Sequence, residues 1–209
     1  MRPPIIVVLL GSYDPETKRV LDQIKRSLQN YFSGMNIYFF LLEDLELYRF
    51  RTSEDQNFTL LVERFSEGRV SAFIFRLLNL LTVYDLSIER DLKEELYEFV
   101  KKHYKAVTIV EVPILEKLRA IAEYALVILL IRHKEETRGG ELIELAYLAN
   151  EFGEKIWFIK KENVKLSSMV LEILDHFEIK MRCYSTDKEL TDEVIRIVSH
   201  RLQIIGKRS

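Results

Sequence analysis

A run of six apolar residues, Ile5 to Leu10, is closed by Gly11 and followed by a charged, amphipathic segment. A strand that is apolar at every position is buried on both faces, which is the situation inside a parallel sheet. Behind it, Asp14-Pro15-Glu16 supplies an N-cap, a proline at the first helical position and an early acid, and Val20, Leu21, Ile24 and Leu28 recur at helical spacing. Ser33-Gly34 marks a turn, and Ile37 to Leu42 reads as a second buried strand ending at Glu43-Asp44. The chain thus opens on a strand-helix-strand unit, which predicts an α/β fold.

The same alternation returns in the second half. Leu92, Leu96, Phe99 and Val100 predict an amphipathic helix, and Ala106 to Val112 a strand stopped by Pro113. Leu115, Leu118 and Ala122 continue as helix, and Ala125 to Ile131 is the most buried-looking strand of all. A polar loop from Arg132 to Gly140 leads to a helix from Glu141 to about Phe152, a strand from Ile156 to Ile159, and a last helix-strand-helix run over Val164 to Ile205. Between these halves, Phe58, Leu61, Val62 and Phe65 fall at helical spacing, while Val70 to Leu81 suits either a strand or a buried helix; Ser71 to Phe75 is predicted as strand. Residues 45–95 are therefore expected as an inserted helical cap. With no internal repeat or low-complexity linker, residues 1–209 are expected to form one doubly wound domain with a mostly parallel sheet of about five or six strands.

Composition narrows the function classes. Lys and Arg number 31 against 33 Asp and Glu, a formal charge of −2, so no net field marks a nucleic-acid or anionic-membrane binder. The single cysteine, Cys183, has no intramolecular partner, and in its strand it reads as a small core hydrophobe. Four scattered histidines lack metal-ligand spacing, so neither metal nor cofactor is implied. His133, alone in the polar loop, reads as solvated. The opening residues read as a strand rather than a cleaved leader, and no apolar run approaches the roughly 20 residues of a membrane span. A cytoplasmic setting is the expectation. The charged fraction of 31% matches heat-adapted composition, and the apolar stretch Val70 to Leu86 offers a surface for a second copy in a homo-oligomer.

In an open parallel sheet, ligands bind at the carboxyl ends of the strands. Three loops qualify. Gly11-Ser12-Tyr13-Asp14 offers a glycine for close approach, a hydroxyl donor and an aromatic that can stack on a base; equally, Asp14 is an ordinary N-cap. Glu43, after the second strand, is placed to accept from ribose hydroxyls or simply to solubilise a strand end. The third loop runs Thr137-Arg138-Gly139-Gly140-Glu141-Leu142-Ile143-Glu144. Its glycines permit close approach, and the helix dipole keeps a first-turn carboxylate ionised, as attack on an anomeric carbon requires. There is no GxGxxG and no phosphate-loop lysine.

Gly140-Glu141-Leu142-Ile143-Glu144-Leu145-Ala146-Tyr147, set after a buried strand and a polar loop, resembles the motif of the nucleoside 2-deoxyribosyltransferases: a glycine, the nucleophilic glutamate, an aliphatic, a small residue and a tyrosine. More distantly it is similar to Toll/interleukin-receptor (TIR) domains that cleave NAD with a glutamate on the corresponding helix. The resemblance implies a flavodoxin-like or deoxyribosyltransferase-like sheet, Glu144 as nucleophile, and a nucleoside or nucleotide substrate, NAD among them. Helical periodicity instead puts Glu141 on the inward stripe with Leu145, Leu148 and Phe152, so the acid facing the pocket stays open between Glu141 and Glu144. Arg138 would meet a phosphate, and Gly11, Ser12, Tyr13, Asp14, Gly139 and Gly140 would cradle the sugar. The chain departs from the motif at Glu141, where the family has threonine, and at Leu148, where it has alanine. It also departs at Glu123-Tyr124-Ala125-Leu126, where the family's sugar-binding aspartate is missing. A non-catalytic nucleotide sensor or TIR-like interaction module is the alternative function.

Overall fold

The computed structural model describes residues 5–12, 14–65, 69–76, 79–88, 91–135 and 140–206; of Glu141 and Ile205 it describes the backbone alone. In chain order the elements are β1 (Ile5–Gly11), α1 (Pro15–Tyr31), β2 (Ile37–Leu41), β3 (Leu45–Thr52), β4 (Asn57–Arg64), β5 (Arg69–Arg76), β6 (Asn79–Ser87), α2 (Leu92–Tyr104), β7 (Ala106–Glu111), α3 (Ile114–Tyr124), β8 (Ala125–Arg132), α4 (Gly140–Phe152), β9 (Ile156–Lys161), α5 (Ser168–His176), β10 (Lys180–Tyr184) and α6 (Asp187–Gly206). They fall into two compact units, one of residues Glu43–Lys117 and one of Ile5–Leu42 with Leu118 onward.

The second of these is the predicted α/β unit. Its five strands are all parallel, in the order β10-β9-β8-β1-β2. β1 lies between β2 and β8, with Val7 beside Phe39 on one side and Val127 on the other. Side chains alternate across the sheet. On one face Val7, Leu9, Val127 and Leu129 pack with Val20, Leu21, Ile24 and Leu28 of α1 and with Leu190, Val194 and Ile197 of α6. On α4, Leu145, Leu148, Ala149 and Phe152 are buried, and the helix packs against β1, β8 and α5. β8 is buried along nearly its whole length, as its unbroken apolar sequence demands. Among the described residues no helix is long and apolar enough to cross a membrane.

The other unit corrects the reading of residues 45–95. Among their described residues there are four strands and no helix before α2. β3 to β6, with β7, build a wholly antiparallel sheet in the order β6-β5-β4-β3-β7. The fold is therefore α/β with one parallel and one antiparallel sheet, not a single doubly wound parallel sheet carrying a helical cap. The segment from Phe58 to Phe65 misleads for a physical reason. Phe58, Leu60 and Val62 face α2, where they meet Leu92, Leu96 and Val100, but Leu61 on the opposite side of β4 is also buried. A strand buried on both faces loses its alternation, and its apolar positions then match a helical template by chance. β5 is the same case, buried from Val70 to Phe75.

Cys183 is a further correction. It lies on β10, an edge strand, and is exposed rather than part of the core.

Candidate functional site

The carboxyl ends of β1 and β8 lie side by side, Gly11 opposite Ile131. Gly11 is buried, and a Cβ there would stand 2.9 Å from the Ile131 carbonyl oxygen and 3.1 Å from a Leu21 methyl. Close packing of β1 on β8 and α1 thus accounts for this glycine. Ser12 follows, also buried. Asp14 caps α1 through Oδ1, which accepts from the backbone N–H groups of Glu16 and Thr17 at 3.2 Å each. Burial by itself would raise the Asp14 pKa, but hydrogen bonds from Lys134, Thr17 and Ser12 outweigh it and hold the carboxyl far below the usual range.

From the β8 side, His133 and Lys134 reach into the same place. Lys134 Nζ lies 2.7 Å from Asp14 Oδ1 and 3.5 Å from Glu16 Oε2, and the Asp14 bond raises its pKa. His133 is buried at 6% exposure, contrary to its reading as a solvated loop residue. Its Nδ1 lies 2.7 Å from the hydroxyl of Tyr184 at the end of β10, and its Nε2 is 3.8 Å from Glu16 Oε1. Burial, and then the charge of Lys161, push the His133 pKa down, although Asp187, Glu16 and Asp14 oppose this. Burial, and then Asp187, push the Tyr184 phenol well up, so it stays protonated.

The structure brings Ser12 and Asp14 together with this cluster. Glu144 sits on α4, half-buried, with one carboxylate oxygen shielded from solvent. Gly140 begins that helix and Glu141 lies in its first turn. Tyr147, the aromatic of the motif, is 40% exposed. Glu43 is exposed in the 3-10 turn Leu42–Asp44 and belongs to the antiparallel unit. Tyr13, Arg138 and Gly139 lie outside the described residues. Sequence reasoning passed over Glu16, Lys134 and Tyr184. The positions of Lys134 and Tyr184 at strand ends and of Glu16 in the first turn of α1 were legible, but the meeting of His133 with a residue 51 positions away was not. Among the described residues no group of His, Cys, Asp and Glu could hold a metal ion.

No protein-family model matches the chain, and a search of curated proteins finds no relative.

Proposed function

We propose that this protein binds a nucleoside or nucleotide, NAD among the candidates, at the carboxyl edge of its parallel sheet and cleaves or transfers the N-glycosidic bond. One observation carries the binding half. Numbered among themselves along the chain, the five parallel strands run 2-1-3-4-5, the flavodoxin-like order, whose ligand crevice opens where the chain reverses direction, between the first and third. Here those strands are β1 and β8. The segments singled out from the sequence, Gly11 to Asp14 and Thr137 to Glu144, are the two that follow them along the chain.

The chemical half rests on Glu144, at the head of a helix packed on those strands. Its carboxylate would bond to the anomeric carbon as the glycosidic C–N bond breaks and the electron pair leaves with the base; nicotinamide leaves neutral, and any other base takes a proton from Glu141, held in its acid form beside the Glu144 anion, which the attacking water then returns. Water then cleaves the glycosyl ester and releases the sugar. Incubation with NAD and a nucleoside panel, with free base measured by chromatography, tests this. Release of base that falls at least a hundredfold in Glu144→Gln is expected; undiminished release would remove Glu144 from the mechanism.

A second reading, a non-catalytic nucleotide sensor or TIR-like module, draws on the polar groups at this sheet edge that already bind one another. Asp14 is committed to its cap and to Lys134, and His133 to Tyr184. A nucleotide that raises the Tm without being consumed would favour it.

A further inference from the structure

β10 is an edge strand with a single anchor. Among the described residues it pairs with β9 alone, Lys180 to Cys183 are exposed, and Tyr184 is its one buried residue. The Tyr184 side chain reaches across β9 to the loop after β8, where His133 Nδ1 lies 2.7 Å from its hydroxyl. Among the described residues that hydroxyl has no other hydrogen-bond partner. Both groups are out of water, at 1% exposure for Tyr184 and 6% for His133. A buried phenol proton needs an acceptor, so Tyr184 donates and Nδ1 accepts, which leaves the neutral ring protonated on Nε2.

This arrangement holds only while His133 is neutral. A proton on Nδ1 turns the acceptor into a second donor; the Tyr184 hydroxyl must then swing round, and its own proton points into the core with nothing to receive it. The charges around the ring do not offset this. On α1, Asp14 is engaged by Lys134 at 2.7 Å, and Glu16 stands 3.8 Å from Nε2 with more than half of its side chain in water. Asp187 at the head of α6 attracts an imidazolium, while Lys161 at the end of β9 repels it. Burial is the largest influence and favours the neutral ring. Once the segment opens, His133 meets water and regains an ordinary pKa of about 6.5, so acid favours the open form, by up to about tenfold for each pH unit between that value and the lower folded one.

We propose that the His133–Tyr184 hydrogen bond is an acid-released latch, which ties β10 and the first turn of α6 to the sheet at neutral pH and frees them in mild acid while β1 and β8 stay paired. The inference is independent of the nucleoside reading.

Amide hydrogen exchange of the full chain, followed by NMR and corrected for the intrinsic pH dependence of exchange, tests it. In wild type, the amides of β10 should exchange through an opening that low urea does not accelerate and that leaves β1 and β8 protected. That opening should grow at least about fivefold from about pH 7 to about pH 5.5. His133→Asn puts an uncharged amide oxygen near the place of Nδ1 and should keep β10 protected with no such rise. Tyr184→Phe keeps the ring in the core without the hydroxyl, and should show at neutral pH the opening that wild type reaches only in acid. Identical pH profiles in wild type and His133→Asn, β10 amides that exchange only together with β1 and β8 in global unfolding, or unchanged β10 protection in Tyr184→Phe at neutral pH overturns the proposal. Should His133→Asn fail to fold, the wild-type and Tyr184→Phe profiles decide the outcome.

Discussion

Lys134 Nζ lies 2.7 Å from Asp14 Oδ1, tying the loop after β8 to the first residue before α1. The same oxygen caps the helix, so one carboxylate holds two elements that meet at the carboxyl edge of the sheet. Lys134 and Asp14 thereby join the end of β8 to the start of α1.

Asp14→Ala removes the cap and leaves Lys134 without its main partner. A loss of about 1–2 kcal/mol is expected from the cap alone, measured by urea denaturation at pH 7. The pH dependence has a definite sign. The folded pKa of Asp14 is depressed, so its contribution is complete above the unfolded value of about 3.9 and is lost as pH falls through the acid range. The difference between wild type and Asp14→Ala should therefore narrow below about pH 4.

Gly11→Ala places a methyl 2.9 Å from a backbone carbonyl that the β1–β8 ladder fixes in place. A destabilisation of about 1–3 kcal/mol is expected. An unchanged Tm in thermal unfolding would show that β1 can shift away from β8.

For His133 the sign is opposite to that of a histidine that gains a partner for its charged form. Burial lowers its folded pKa, so the unfolded chain binds more protons as pH drops below the ordinary value of about 6.5. Stability should be complete above that value and decline towards pH 5. His133→Gln should flatten this decline in denaturation curves taken across the range. Tyr184→Phe should cost about 1–3 kcal/mol at pH 7, because it strips a buried ring nitrogen of its hydrogen-bond partner.

In the antiparallel unit, Leu60 is fully buried between Phe58 and Val62 on the face that α2 covers. Leu60→Ala should cost about 2–5 kcal/mol by leaving a cavity. A helical residue 60 pointing to solvent would lose far less, so the same measurement checks the strand assignment.

The parallel unit was legible because its signals are local. Ile5 to Leu10, Ala125 to Ile131 and the Asp14-Pro15 cap each carry their meaning within about a dozen residues, and the elements appear where the pattern places them. Residues 45–95 were not legible. In β4 and β5 burial on both faces erases the period of two, and nothing in a short apolar run says which partner strand will cover its edges. After β1, Ser12 and Asp14 stand out in the sequence because loops after parallel strands are where ligands bind. His133 was misjudged because solvation was inferred from its polar neighbours, whereas Tyr184, on a strand two places across the sheet, buries it.

Sequence alone determined the order of strands and helices in the α/β unit, the cap of α1 and the near neutrality of the chain, since these depend on residues adjacent to one another. Tertiary structure decided the antiparallel sheet, the reason for Gly11, and the facing of His133 with Glu16. Each of these depends on atoms that long-range strand order brings within a few ångströms, and no local period encodes that order.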